Sequence, residues 1–134
     1  MLVNKNIIEE LLNDAGYLIT EKAKRYVREQ KVRIIKTIYD DKNNFELHGK
    51  AYGNDIYNTY IDVKNGEIET IECTCPDYYN TYGVCKHSLA TILTFNNMQT
   101  EEIIHKSLSM MFIVFISRVM SFQVRQNVTM KLPK

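Results

Sequence analysis

All three cysteines of the chain fall within thirteen residues, in the string Cys73-Thr-Cys75-Pro-Asp-Tyr-Tyr-Asn-Thr-Tyr-Gly-Val-Cys85-Lys-His87. Thiolate sulfur and imidazole nitrogen are soft or borderline donors, and three cysteines with one histidine form a standard donor set for a structural zinc ion. Every cysteine is used and one nearby histidine completes the count, so the expectation is a single zinc ion held by Cys73, Cys75, Cys85 and His87. Four protein ligands leave no open position for water, which makes such an ion structural rather than catalytic. A Cys73–Cys75 disulfide would close a tiny, strained ring. An iron–sulfur cluster normally takes four cysteines. A Cys85/His87 nucleophilic pair is disfavoured because side chains two apart on a helix diverge. Three buried cysteines without metal remain the bland alternative, since cysteine is often only a small apolar residue. Asp77 reads as a loop or helix-cap acid. His48 and His105 lie outside the cluster, and His48 alternates with Phe45 and Leu47, which puts it on the opposite face of a strand.

The neighbouring sequence supplies the elements that must hold these donors. Cys73 and Cys75 stand two apart at the end of a strand pattern, so both thiols point to one face. Pro76 cannot donate to a sheet ladder and ends that strand. Residues 76–84 form a return loop, with Gly83 as a flexible turn before the second pair. Cys85 and His87 fall in the first turn of the following helix, whose N-terminus favours the thiolate form of Cys85.

Upstream, residues 4–13 repeat Ile7, Ile8, Leu11 and Leu12 at helical spacing, with Asn4 or Asn6 as cap and Gly16 just past the end. A second, basic helical stretch opens at Thr20 and runs to about Gln30, with only Tyr26 and Val27 as large apolar residues. From Lys31 the period changes to two. Val32, Ile34 and Thr37–Tyr39, then Phe45, Leu47 and Gly49, then Tyr57, Tyr60, Ile61 and Val63, then Ile68, Ile71 and Cys73 read as four strands. Asn65-Gly66 marks the last hairpin. Leu89 to Leu93 form a compact apolar helix punctuated by Asn96-Asn97. Another helix starts at Thr100-Glu101-Glu102 and runs into the apolar stretch 110–116, and residues 122–134 alternate like a new strand. The expected architecture is α+β: a small antiparallel β-meander with flanking helices and a ββα Cys₃His finger. The expected division is 1–30, a helical segment; 31–97, meander and finger with its metal motif at 73–87; and 98–134, a helical and strand tail suited to the edge of a further domain.

The net charge of +1 says little, but its distribution is lopsided. Between Lys22 and Lys36 there are seven basic residues against the single acid Glu29, whereas between Asp40 and Asp77 nine acids face three lysines. Lys22, Lys24, Arg25, Arg28, Lys31 and Arg33, with Lys86 beside the metal motif, are candidate phosphate contacts. The acids, and the net −1 of a Cys₃His zinc site, argue against nucleic acid lying on the finger itself. No secretory signal pattern opens the chain, and the longest apolar run, Met110 to Ile116, is far short of the ~20 residues a membrane span needs. These features read as a cytoplasmic protein with no membrane partner. None of the five glycines, at 16, 49, 53, 66 and 83, begins a phosphate-cradling GxxxxGK[ST] loop. With no paired carboxylates and no Ser/His/Asp set, catalysis and a small-molecule substrate are not expected.

The string C-x-C-x₉-C-x-H, preceded by an Asn-Gly hairpin and followed by an apolar helix, resembles the SWIM-type zinc finger, and the wording C-T-C-P…C-K-H-S-L-A is close to it. The resemblance implies a ββα finger with one zinc on Cys73, Cys75, Cys85 and His87, and a role in binding DNA or protein. A basic helix leading through a four-strand meander into the finger is similar to the N-terminal region of bacterial Swi/Snf-family helicases over roughly residues 15–100. That wider likeness implies a non-catalytic, helicase-associated module with a motor domain as a possible partner. A stand-alone protein-interaction module without nucleic-acid binding is the alternative, with Leu108 to Ile116, Val119, Met120 and Phe122 as its apolar docking segment.

Overall fold

The computed structural model describes residues 3–80 and 84–130, the side chains of 79–80 and 117–130 excepted. Helix α1 spans Lys5–Arg28. Asn4 caps it, its side chain accepting a hydrogen bond from the Asn6 amide at 2.9 Å. At Gly16 the backbone leaves helical values (φ 81, ψ 168), so α1 is two helical pieces joined at a kink. Only glycine reaches that conformation without strain, and it falls where the sequence ends the first piece. The Thr20 hydroxyl spans the break by donating to the Leu12 carbonyl at 3.0 Å. In the second piece Ala23 and Tyr26 are buried, while Lys22, Lys24, Arg25 and Arg28 stay exposed.

The period-two region folds as strands β1 (Val32–Asp41), β2 (Asn44–Tyr52), β3 (Ile56–Lys64) and β4 (Glu67–Cys73). They form one antiparallel sheet in the order β1-β2-β3-β4, as a meander should. The α+β class is therefore that expected. Asn65 and Gly66 turn between β3 and β4 with φ of 54° and 77°, the paired positive values of a type I′ hairpin. The β1–β2 turn is held by Asp41, whose carboxylate accepts from the amides of Asn43 and Asn44 at 2.8 and 3.0 Å. A bulge between Ile34 and Lys36 shifts the alternation of β1 by one residue.

Alternation along β2 is complete. Phe45, Leu47, Gly49 and Ala51 are buried, while Glu46, His48 and Lys50 point to the other face, as expected for His48. Leu47 pairs with Ile61 and Phe45 with Val63, and this inner face packs with Val3, Ile92 and Phe95. Ile7, Ile8 and Leu11 of α1 pack against the same cluster. A Cβ at Gly49 would lie 2.7 Å from Thr59 Oγ1 and 2.8 Å from Thr91 Cγ2. The missing side chain therefore lets the helix bearing Thr91 approach the sheet closely.

After a 3₁₀ turn at Pro76–Asn80, helix α2 spans Lys86–Met130. Two expectations fail here. The helix does not stop at Asn96-Asn97, and no second helix starts at Thr100. Asn96 uses its amide across the fold, accepting from the Val3 amide at 3.1 Å and donating to the Val3 carbonyl at 3.2 Å. An Asn side chain engaged in this way does not compete with its own helix backbone. Residues 122–130 are helical rather than strand; a helix satisfies its backbone within one segment, whereas a strand needs a neighbour. Residues 131–134 of that expected strand, and Gly83 of the expected turn, lie outside the described residues. The chain divides into two compact units, Met1–Gln99 and Thr100–Lys134.

Candidate metal centre

Three segments of the first unit deliver the donors. Cys73 ends β4 opposite Thr59. The ladder continues one residue further, because the Thr74 amide donates to the Asn58 carbonyl at 3.1 Å and the Asn58 amide donates to Thr74 Oγ1 at 2.9 Å. That clamp fixes Cys73 and Cys75 on either side of Thr74. The 3₁₀ turn is tied back by the Tyr78 hydroxyl, which donates to the Ile71 carbonyl at 2.7 Å.

Cys85 occupies the cap position of α2. Its carbonyl accepts from the Leu89 amide, its sulfur accepts from the Ser88 amide at 3.4 Å, and its own amide donates to Ser88 Oγ at 3.2 Å. This is a reciprocal capping box built from a cysteine and a serine. His87 then lies in the first turn, and its carbonyl accepts from Thr91 Oγ1 at 2.8 Å. Thr91 Oγ1 is in turn 2.8 Å from Thr59 Oγ1. A buried polar chain thus links the turn bearing His87 to the strand opposite Cys73.

The donor atoms of Cys73, Cys75, Cys85 and His87 all lie within 4.8 Å of one another, and all four residues are buried. His87 Nδ1 faces two sulfurs, at 3.9 Å from Cys73 and 4.0 Å from Cys85. Its Nε2 is buried without a hydrogen-bond partner among the described residues. The ring is therefore oriented by the thiol side at the expense of its other nitrogen, and an orphaned buried nitrogen is costly. Tyr57 lies along one side of the imidazole (ring centroids 4.5 Å apart) and Tyr26 meets it edge-on at 5.2 Å.

The charge state of the thiols points the same way. Hydrogen bonding to Cys73, then to His87 and Ser88, holds the Cys85 thiol down at about 3 against the opposing effect of burial. Cys73 is pushed up by its hydrogen bond to that thiolate and by burial, and Cys75 by burial and by the Cys85 charge. Burial and the neighbouring sulfurs thus oppose charging Cys73 and Cys75 beside Cys85, an opposition that a cation at the point of convergence would relieve. The donor set and the crowded thiols together fit a metal ion; the residues that would hold it are Cys73, Cys75, Cys85 and His87.

The basic candidates are only partly gathered. Lys31 and Lys86 both lie over the Tyr26 ring, at 5.5 and 5.9 Å from its centroid, and so sit beside His87 through one aromatic residue. Lys31 also pairs with Glu29 at 2.8 Å, a contact that lowers the Glu29 pKa. Arg33 lies over Tyr52 at 5.8 Å. Lys24 pairs with Glu21 at 3.9 Å, and Lys22, Arg25 and Arg28 are exposed on α1. Tyr26 and Tyr57 were not legible as neighbours of the metal motif, because one is remote in sequence and the other reads as an ordinary strand residue. Ser88 could have been found from its position three residues after Cys85. Among the described residues no helix is long and apolar enough to cross a membrane. No family model, curated protein or solved structure matches this chain.

Proposed function

We propose that the chain is a SWIM-type module in which one zinc ion, held by Cys73, Cys75, Cys85 and His87, locks the β4 end to the start of α2 so that the unit can bind nucleic acid. The observation that carries this reading is the convergence of four buried donors from three chain segments on one point. Bound there, the metal supplies a cross-link and charge neutralisation rather than reaction chemistry. Binding rather than catalysis is further supported by the sequence, which offers no nucleophile–base set and no phosphate-cradling loop. A place beside the motor of a Swi/Snf-type helicase is the reading that the wider likeness over roughly residues 15–100 supports.

Protein purified without added zinc should carry one zinc per chain by native mass spectrometry. Binding to a labelled oligonucleotide should weaken steeply with salt and fall on Arg25→Ala/Arg28→Ala. A metal-free protein with three free thiols and an intact fold would overturn the zinc assignment; salt-independent behaviour would overturn the nucleic-acid one.

A second reading, protein docking, is favoured by the second unit. Ile103, Ile104, Leu108 and the run Met110 to Ile116 are 40–69% exposed. Surface this apolar normally marks an interaction site. Binding through it would be indifferent to salt and to Arg25 and Arg28, and would fall on Phe112→Asp.

A further inference from the structure

The outward face of the sheet carries charges in a register that is unfavourable for the protein alone. Arg33 of β1 stands directly opposite Lys50 of β2. In the next outward row, across the bulge, Lys36 stands opposite His48. The Arg33–Lys50 pair sets like charges directly opposite one another, which destabilises an antiparallel pair. None of the ion pairs among the described residues uses Arg33, Lys36 or Lys50. The acids of this face are engaged or placed elsewhere. Glu46 contacts His48 at 3.4 Å, Lys64 is 3.7 Å from Asp62, and Glu72 lies opposite Tyr60 on the far side of β3.

One of these cations is also held in place. Arg33 lies over the Tyr52 ring, and the Tyr52 amide donates to the Lys31 carbonyl at 2.8 Å. The segment carrying Lys31 is thereby pinned beside the strand that carries Lys50. Across from Lys50 stands Asn58, a neutral residue whose side-chain amide can donate without adding charge. The result is a row of cations and hydrogen-bond donors across β1, β2 and β3 on the sheet face opposite the apolar cluster.

We propose that Arg33, Lys50 and Lys36 form a phosphate-binding row that takes the phosphodiester backbone of a nucleic acid. The proposal rests on the nucleic-acid reading above and extends it from α1 onto the sheet, through two lysines outside the α1-centred candidates. An anion between Arg33 and Lys50 would turn a repulsive pair into two attractive contacts, which explains why the register tolerates it.

The test uses the full, zinc-loaded chain with Lys50→Gln and Arg33→Gln/Lys50→Gln, read by anisotropy of a labelled oligonucleotide across a salt series. Inorganic polyphosphate serves as a second probe, and thermal melts are run without ligand. Lys50→Gln should weaken oligonucleotide binding and lower the slope of log affinity against log salt by about 1, and the double variant by about 2. The same single variant should raise the unliganded Tm by about 1–4 °C, because the opposed charge is gone. Unchanged affinity and slope in a folded Lys50→Gln protein would overturn the row. If Arg25→Ala/Arg28→Ala still weakens binding in that case, the nucleic-acid reading survives without it. Polyphosphate binding that depends on Lys50, with no oligonucleotide binding, would overturn the nucleic-acid assignment together with the reading it rests on.

Discussion

The two faces of the sheet alternate residue by residue along the same strands, yet they obey different physics. Leu47, Ile61 and Val63 on the inner face are fully buried, and Thr59 beside them is 3% exposed. His48, Tyr60, Glu46 and Asp62, one residue away in each case, stay in contact with solvent. The inner face has no freedom: Gly49 is a glycine because Thr59 and Thr91 occupy the space beside it. The Cys₃His cluster is the end of that inner face, since Cys73 pairs with Thr59 and Thr59 reaches the turn bearing His87 through Thr91. On the outer face packing decides little, so charge can be arranged for a partner. Structure-holding chemistry lies inside, and the proposed recognition surface lies one residue away.

The sharpest way to break this comparison is to remove a metal ligand. Cys85→Ala takes away a donor and the sulfur that caps α2 at once. Apparent zinc-binding energies of ~10–16 kcal/mol in small fingers are folding energy as well. The 70–95 region should therefore unfold, with loss of bound zinc and with destabilisation of the meander, whose apolar cluster includes Ile92 and Phe95. Circular dichroism melts of the wild type, the variant and chelator-treated protein check this. A melt unchanged by the substitution would show that the metal centre is not part of the inner core.

The Cys₃His cluster was legible because metal-ligand chemistry restricts residue type and spacing far more tightly than packing does. The last hairpin was legible for a related reason, since Asn65-Gly66 states its backbone conformation directly. What could not be read depends on contacts distant in sequence. Asn96 looks like a helix stop, but its bonds to Val3, 93 residues away, remove the competition that would have ended the helix. Tyr26 reads as part of a thin apolar stripe, and only the folded chain sets it between His87 and the cations Lys31 and Lys86. Lys50 was unremarkable until the register set it against Arg33.

A smaller effect separates the two faces directly. Leu47→Ala should cost about 2–5 kcal/mol, the transfer and cavity cost of a fully buried leucine. His48→Ala, next along β2, removes only a half-exposed ring from Glu46 and Tyr60 and should stay within about 0.5 kcal/mol. Urea denaturation of both variants with zinc bound gives the ratio. Comparable losses would mean that the outer face is packed against something, and that a partner surface there is already occupied.

The smallest effect concerns the β1–β2 turn, where an acid acts on structure rather than on a partner. Asp41 accepts from the Asn43 amide first, then from the Asn44 side chain and amide, and these bonds hold its pKa below the ordinary 3.8. A carboxylate whose folded pKa is depressed contributes stability that is fully present above the unfolded pKa and is lost as pH falls through the folded one. At neutral pH, Asp41→Asn should therefore melt slightly below wild type. The gap should close as the pH drops below about 4, the ordinary range of an aspartate. The difference between the two proteins at each pH is the quantity to follow, because acid also protonates the metal ligands in both and that loss cancels. A gap that stays constant or widens on acidification would mean that the negative charge of Asp41 is not what holds the turn, and that the neighbouring asparagines form it unaided.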